Sequence, residues 1–241
     1  MNQQIDLSKL PSKAPGYDLR DLLEAGCHFG HQKSKWNPDM EEYIYTEKNG
    51  VHIFDLAITA KQLTAAYNYM YKLGKDNKSV IFVGTKRQAR KVIQETAKEC
   101  GVHYITSRWL GGLFTNWPQI GKSLRKMLSM ESKMEAGAYD NFTKFEQAQM
   151  SKQITRLRRF FDGLRELKEL PDAIFVVDSE REDIAVTEAN KMDIPVIALM
   201  DSDGHPDDVA IPIPANDDAV KSIELVVKQM GEAYLAGQQG K

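Results

Sequence analysis

The chain has 241 residues, 42% of them hydrophobic and 27% charged, with a formal net charge of −2 and a mean hydropathy of −0.46. That composition excludes wholesale disorder, and the longest apolar runs, 173–177 and 196–200, are strand-sized and far short of a bilayer span. The length suits one α/β domain carrying an insertion.

Residues 1–18 read as a polar, extended arm with Pro11 and Pro15. They show neither the basic and apolar regions of a signal peptide nor an Arg-rich amphipathic stretch. The two cysteines, Cys27 and Cys100, stand in no metal or redox spacing, so a reduced, cytoplasmic setting without a membrane partner is expected. Leu19, Leu22 and Leu23 mark a short helix that stops near Gly26, and the stretch from Cys27 to Met40 has no clear periodicity.

From Tyr43 onward, strand and helix signals alternate. Val51–Asp55 is a short strand, and 59–73 is a helix with Leu63, Ala66, Tyr67, Met70 and Leu73 on one face. Val80–Gly84 is a buried strand, and Thr85 is positioned to cap a helix over 86–100 that ends at Gly101. Val102–Ile105 is the next strand. Ala173–Asp178, a helix over 181–191, Pro195–Asp201, an edge strand at Ile211–Ile213 and a last helix starting at Asp217 complete the pattern. Such repeats predict an α/β fold, a parallel sheet with helices on both faces.

The alternation breaks over 117–170. Ile120, Leu124, Met127 and Met134 form one heptad-like series, and Met150, Ile154, Leu157, Phe161 and Leu164 form another after the turn near Asp140. This predicts an inserted antiparallel helical hairpin packed as a short coiled coil, with the sheet domain split into 19–116 and 171–241.

Charge is segregated along the chain. Residues 75–168 carry a net +10, whereas residues 169–241 carry a net −11. The basic segment points to a polyanionic partner. Its candidate contacts with an RNA backbone are Lys86, Arg87, Arg90, Lys91, Arg108, Lys122, Arg125, Lys126, Lys152, Arg156, Arg158 and Arg159. Lys133 and Arg165 add to the same faces. Trp109, Phe114 and Trp117 flank the paired glycines Gly111 and Gly112, and hinge packing is favoured for them over base stacking. Val83–Arg87 matches neither dinucleotide nor P-loop fingerprints. No Ser/His/Asp or metalloprotease-type pattern commits the chain to catalysis. A nucleotide-binding enzyme is the alternative, but it would need the fingerprint loop that is missing. A protein adaptor would not need the basic excess.

Leu22–Gln32, Trp36-Asn37-Pro38, Phe82–Arg87, Arg108–Gly112, Thr115-Asn116-Trp117, Leu170–Ala173 and Asn216–Ala219 together resemble the bacterial family of small-subunit ribosomal protein 2, in order over about residues 19–235. The resemblance implies a flavodoxin-like parallel sheet with an inserted helical hairpin. It also implies a structural, non-enzymatic role in translation, binding to small-subunit ribosomal RNA, and a docking surface for the large ribosomal protein 1 that captures messenger RNA. No cofactor is required. The loop Ser202-Asp203-Gly204-His205-Pro206 departs from the family's usual turn.

One candidate metal site remains. In a doubly wound sheet, ligands gather beyond the carboxyl ends of the strands. Asp201, Asp217 and His31 are expected near that edge, with His205 as a fourth group. Imidazole would favour zinc, and an all-oxygen subset with waters would favour magnesium. The competing reading makes Asp217 a helix cap, Asp201 a turn residue and His31 a packed histidine.

Overall fold

A computed structural model describes residues 5–240, so the first four residues of the expected arm lie outside it. In chain order the elements are α1 (Leu19–Glu24), β1 (Phe29–Gln32), β2 (Ile44–Lys48), β3 (Val51–Phe54), α2 (Leu56–Lys75), β4 (Val80–Val83), α3 (Arg90–Cys100) and β5 (His103–Ile105). Then follow α4 (Trp117–Glu135), α5 (Lys144–Phe161), β6 (Ala173–Val177), α6 (Asp183–Lys191), β7 (Val196–Met200), β8 (Ile211–Pro214) and α7 (Val220–Gln238).

Five strands form a parallel sheet in the order β5-β4-β6-β7-β8. Every residue of β4, β6 and β7 is buried, because helices cover both faces. Strand periodicity sends Val80, Phe82, Phe175, Val177, Ile197 and Leu199 into a core beneath α2, α3 and α7. Ile81, Val83, Ile174, Val176, Val196 and Ala198 point the other way, against α6, the base of the α4–α5 pair and the loop at Trp109–Phe114. Each fully buried side chain of this size contributes roughly 1.5–3 kcal/mol. β8 has proline at both Pro212 and Pro214 and lies at the sheet edge, where the missing N–H groups do least harm.

The helices α2 and α7 approach closely. A side chain at Gly74 would collide with the Tyr234 carbonyl, and one at Gly237 with the Tyr71 carbonyl, so only glycine permits this contact. The N-terminal arm lies on the same pair. The Lys13 and Ala14 N–H groups donate to Asn68 Oδ1, each at 2.8 Å, and Tyr17 donates to Gln229 at 3.2 Å.

Three features differ from the sequence reading. Residues 29–54 build a second, antiparallel sheet, β1-β3-β2, so the strand near Val51 is not part of the parallel sheet. Most of its residues are half-buried or exposed, and only β3 alternates, with His52 and Phe54 buried. The helix expected from residue 86 starts at Arg90. The Thr85 N–H and hydroxyl are both taken by Glu182 Oε1, at 3.0 and 2.5 Å, so Thr85 caps nothing. In the hairpin, Leu124, Met127, Ile154, Phe161 and Leu164 are buried, but Met134 is 48% exposed, so the expected apolar seam does not extend to it. Among the described residues, no helix is long and apolar enough to cross a membrane.

Candidate nucleic-acid interface and a buried charge cluster

Five aspartates, one lysine and one histidine meet where the strands of the parallel sheet end. Lys86 Nζ lies 2.5 Å from Asp217 Oδ1, 2.7 Å from Asp218 Oδ1 and 2.9 Å from Asp178 Oδ2. It also donates to the Asp217 carbonyl at 3.1 Å. Burial opposes the lysine's charge, but Asp217, Asp218 and Asp178 outweigh it and hold the ammonium charged far above neutral pH. Lys86 is therefore withdrawn from the RNA-contact set: it is 9% exposed and already saturated by carboxylates of its own chain. Asp217 is not a helix cap either, since α7 begins at Val220 and the Asn216 side chain accepts from the N–H groups of Asp218 and Ala219. Burial, with Asp178 and Asp201 nearby, raises the Asp217 carboxyl well above its ordinary value despite the opposing pull of Lys86.

The small antiparallel sheet brings His31 to the same edge. Its N–H donates to Asp201 Oδ1 at 2.8 Å and to Ser202 Oγ at 3.0 Å. Its ring Nδ1 stands 2.9 Å from Asp201 Oδ2, without the alignment of a good hydrogen bond. Nε2 faces Asp218 Oδ2 at 3.7 Å and Asp203 Oδ2 at 3.9 Å. The ion pair with Asp201 raises the imidazole to about 9, with burial opposing and Asp203 and Asp217 adding. Two groupings have ligand atoms close enough to share a cation: His31 with Asp201 and Asp203, and His31 with Asp217 and Asp218. His205 joins neither, because its ring sits 2.8 Å from the Asn37 side chain and faces Glu180 at 3.9 Å. By spacing alone Asp203 and Asp218 are only members of an acidic run. Their place here depends on loop folding that spacing does not reveal.

The remaining cations of the basic segment are on the surface. Arg87, Arg90, Lys91, Arg108, Lys122, Arg125, Lys126, Lys152, Arg156, Arg158 and Arg159 are all exposed. Two have carboxylate partners: Lys91 faces Glu95 at 3.8 Å along one helix, and Arg158 pairs with Glu131. Glu131 also takes Arg165 at 2.6 Å, and these two arginines hold its carboxyl below the usual range although burial pushes it up. Among the described residues, the other nine make no ion pair.

Trp109 and Phe114 are 4% and 1% exposed and meet edge to face, 4.9 Å between ring centres. They are packing groups, not a stacking platform. Their loop is organised by Glu188, a buried carboxylate on α6 that no spacing rule singles out. It accepts from the N–H groups of Gly112 (2.6 Å), Phe114 (2.9 Å) and Thr115 (3.3 Å), and from Trp109 Nε1 at 3.5 Å. Burial would raise this carboxyl, but the backbone donors outweigh it and lower its pKa.

Comparison with known proteins gives a consistent result. Residues 22–237 match the family model described as ribosomal protein S2. The chain is similar to small ribosomal subunit protein uS2 of Oenococcus oeni, 44% identical over 223 residues, which are 92% of this chain and 86% of that protein. It is equally similar to small ribosomal subunit protein uS2c of Cyanophora paradoxa, 44% identical over 223 residues, 92% and 96% of the two chains.

Proposed function

Because the chain belongs to the ribosomal protein S2 family, we propose that it holds small-subunit ribosomal RNA by the backbone, through its helical hairpin, and offers ribosomal protein 1 a docking surface. It is a structural protein of the small ribosomal subunit, acting in translation in the cytoplasm, and its role is not catalytic. One observation carries the RNA reading. Lys122, Arg125 and Lys126 on α4, and Lys152 and Arg156 on α5, are exposed cations that make no ion pair among the described residues, and the nearby tryptophan Trp109 is buried. Such a surface attracts phosphates without reading bases.

Replacing Lys122, Lys126 and Arg156 together by glutamine should weaken binding of the purified chain to small-subunit RNA. The slope of log affinity against log salt should fall by roughly 0.7–0.9 for each phosphate that is no longer neutralised. A triple variant with the wild-type slope would refute the hairpin as the RNA-binding element.

The acidic segment 169–241, apart from the turn at Arg181, would be repelled by phosphate and so faces away from it. Leu19 and Leu23 on α1, Phe29 on β1 and Tyr45 on β2 are exposed apolar side chains that suit contact with a protein. Crosslinks from the acidic segment should fall mainly on ribosomal protein 1; crosslinks mainly to RNA would overturn the assignment.

His31, Asp201 and Asp203 are the strongest candidate metal ligands, and a mixed nitrogen–oxygen set of this kind suits zinc better than magnesium. The two polar atoms His31 Nδ1 and Asp201 Oδ2, close but unaligned, support the reading. Metal analysis of purified particles should show zinc lost in His31→Ala and in Asp201→Ala while the protein still incorporates. Unchanged zinc in both variants would make the cluster purely structural.

A further inference from the structure

A second basic feature lies outside the hairpin, on the parallel sheet itself. The chain runs from β4 outward to β5 and later from β6 in the opposite direction, so strand order reverses between β4 and β6. In open α/β sheets the crevice beyond that reversal is where ligands sit. Here it holds a pocket of about 360 Å³ lined by Arg90, Arg108, Arg159 and Arg181, with Thr85 among the other lining residues.

Two of the four guanidinium groups are fixed in orientation. Arg90 Nε donates to the Thr85 carbonyl at 2.9 Å, and Arg181 Nε donates to Thr85 Oγ1 at 3.1 Å. Thr85 is itself immobilised by the buried carboxylate of Glu182. Each Nε is thus occupied, while the terminal nitrogens make no hydrogen bond among the described residues. Among the same residues, no carboxylate is within ion-pair distance of any of the four arginines. Two acidic groups also line the pocket. Glu182 is engaged with Thr85, and Asp183 accepts from the Ile184 N–H at 2.7 Å. The lining charge is therefore net positive.

We propose that this pocket seats a single phosphate of the RNA backbone, clamped by the free edges of Arg90 and Arg181 and flanked by Arg108 and Arg159. Planar, pre-oriented guanidinium forks match phosphate oxygens bidentately, which lysines cannot do. A free nucleotide is disfavoured because the pocket has no seat for a base: Trp109 is buried, and no other ring lines it. A second groove shares Ser107 and Arg159 with the pocket and leads to Arg158 and Arg165 at the hairpin. A strand held at the pocket could therefore continue onto the basic helices.

The proposal rests on the RNA reading above, and the test separates the two. Arg90→Gln with Arg181→Gln, in the full chain, should lower the salt slope of RNA binding by roughly 0.7–0.9, additively with the hairpin triple variant. If the hairpin variant loses slope and the pocket variant does not, the pocket proposal fails and the RNA reading stands. If the wild-type chain binds no small-subunit RNA, the RNA reading fails. Arg108→Gln serves as a second variant, since Arg108 makes no hydrogen bond among the described residues whose removal would disturb the fold, and it should weaken RNA binding as well. Titrating inorganic phosphate and adenosine monophosphate against the Arg90 and Arg181 Nε–H resonances distinguishes the anion's source. Similar weak binding of both supports a backbone site, whereas monophosphate binding more than about tenfold tighter than phosphate would overturn it in favour of a nucleotide pocket.

Discussion

Lys86→Met is expected to destabilise the chain by about 3–5 kcal/mol, the usual cost of removing one partner from a buried ion cluster. The lysine neutralises Asp178 and Asp217, which are 7% and 1% exposed, together with the more exposed Asp218. Methionine matches the aliphatic stem but leaves the carboxylates facing one another. The effect has a pH signature. Asp217 already has a raised carboxyl pKa in the folded state, so its contribution favours folding at low pH and is lost as pH rises through the raised value. Without Lys86 that value rises further, so the variant should recover stability relative to wild type as pH falls from neutral toward the ordinary aspartate range. Urea unfolding of both proteins at neutral and at acidic pH tests this. A loss below about 1 kcal/mol at neutral pH would show that the cluster tolerates the missing cation.

Glu188→Ala should have an effect of similar size that also shrinks in acid, but only below the ordinary glutamate range. The carboxylate satisfies the N–H groups of Gly112, Phe114 and Thr115 and the Trp109 indole. Each stranded buried donor costs roughly 1–3 kcal/mol, so a net loss on the order of 3–5 kcal/mol follows after partial relaxation. Glu188→Gln keeps one acceptor oxygen and should lose less. Because the folded pKa of Glu188 is lowered, its stabilisation is present above the ordinary glutamate value of about 4.3 and disappears as pH falls through the folded value. Urea unfolding, followed by near-ultraviolet circular dichroism of the Trp109 environment, measures both. A Glu188→Ala variant with an unchanged Trp109 signal and wild-type stability would refute the assignment of this side chain as the loop's anchor.

These two residues also show what the sequence could and could not reveal. The parallel strands and the two hairpin helices were legible because each is a continuous apolar run or a helical series with turn residues at its ends, as at Val80–Val83, Ala173–Val177 and Trp117–Glu135. The antiparallel sheet at 29–54 was not, since β1 and β2 bury little and leave no alternation to read. Lys86 sits in a basic stretch, and nothing local separates a cation that faces a polyanion from one that faces aspartates far along the chain, at Asp178, Asp217 and Asp218. Long-range pairing likewise hid Glu188 and the Thr85–Glu182 contact that accompanies the later start of α3 at Arg90. His31 and Asp201 were brought together as expected because both lie near strand ends at one edge of the fold. Arg181 was overlooked because its neighbours in sequence, Glu180, Glu182 and Asp183, are all acidic.

The close fit of α7 against α2, and the arm that binds to both, also bears on how the molecule forms. Ribosomes release the chain from its amino end, so residues 56–75 and the strands they cover emerge well before residues 220–238. Until α7 arrives, the surfaces of α2 and α3 that it covers, at Tyr71 and Gly74 and at Thr96 and Cys100, have no permanent cover. The contacts that seal them join distant parts of the sequence, as Gly74 with Tyr234 and Tyr17 with Gln229 illustrate. Loop-closure entropy makes such contacts late and slow. The core on this side of the sheet therefore closes as one of the last folding events, and the interval before closure is when the nascent chain is most open to aggregation or chaperone capture.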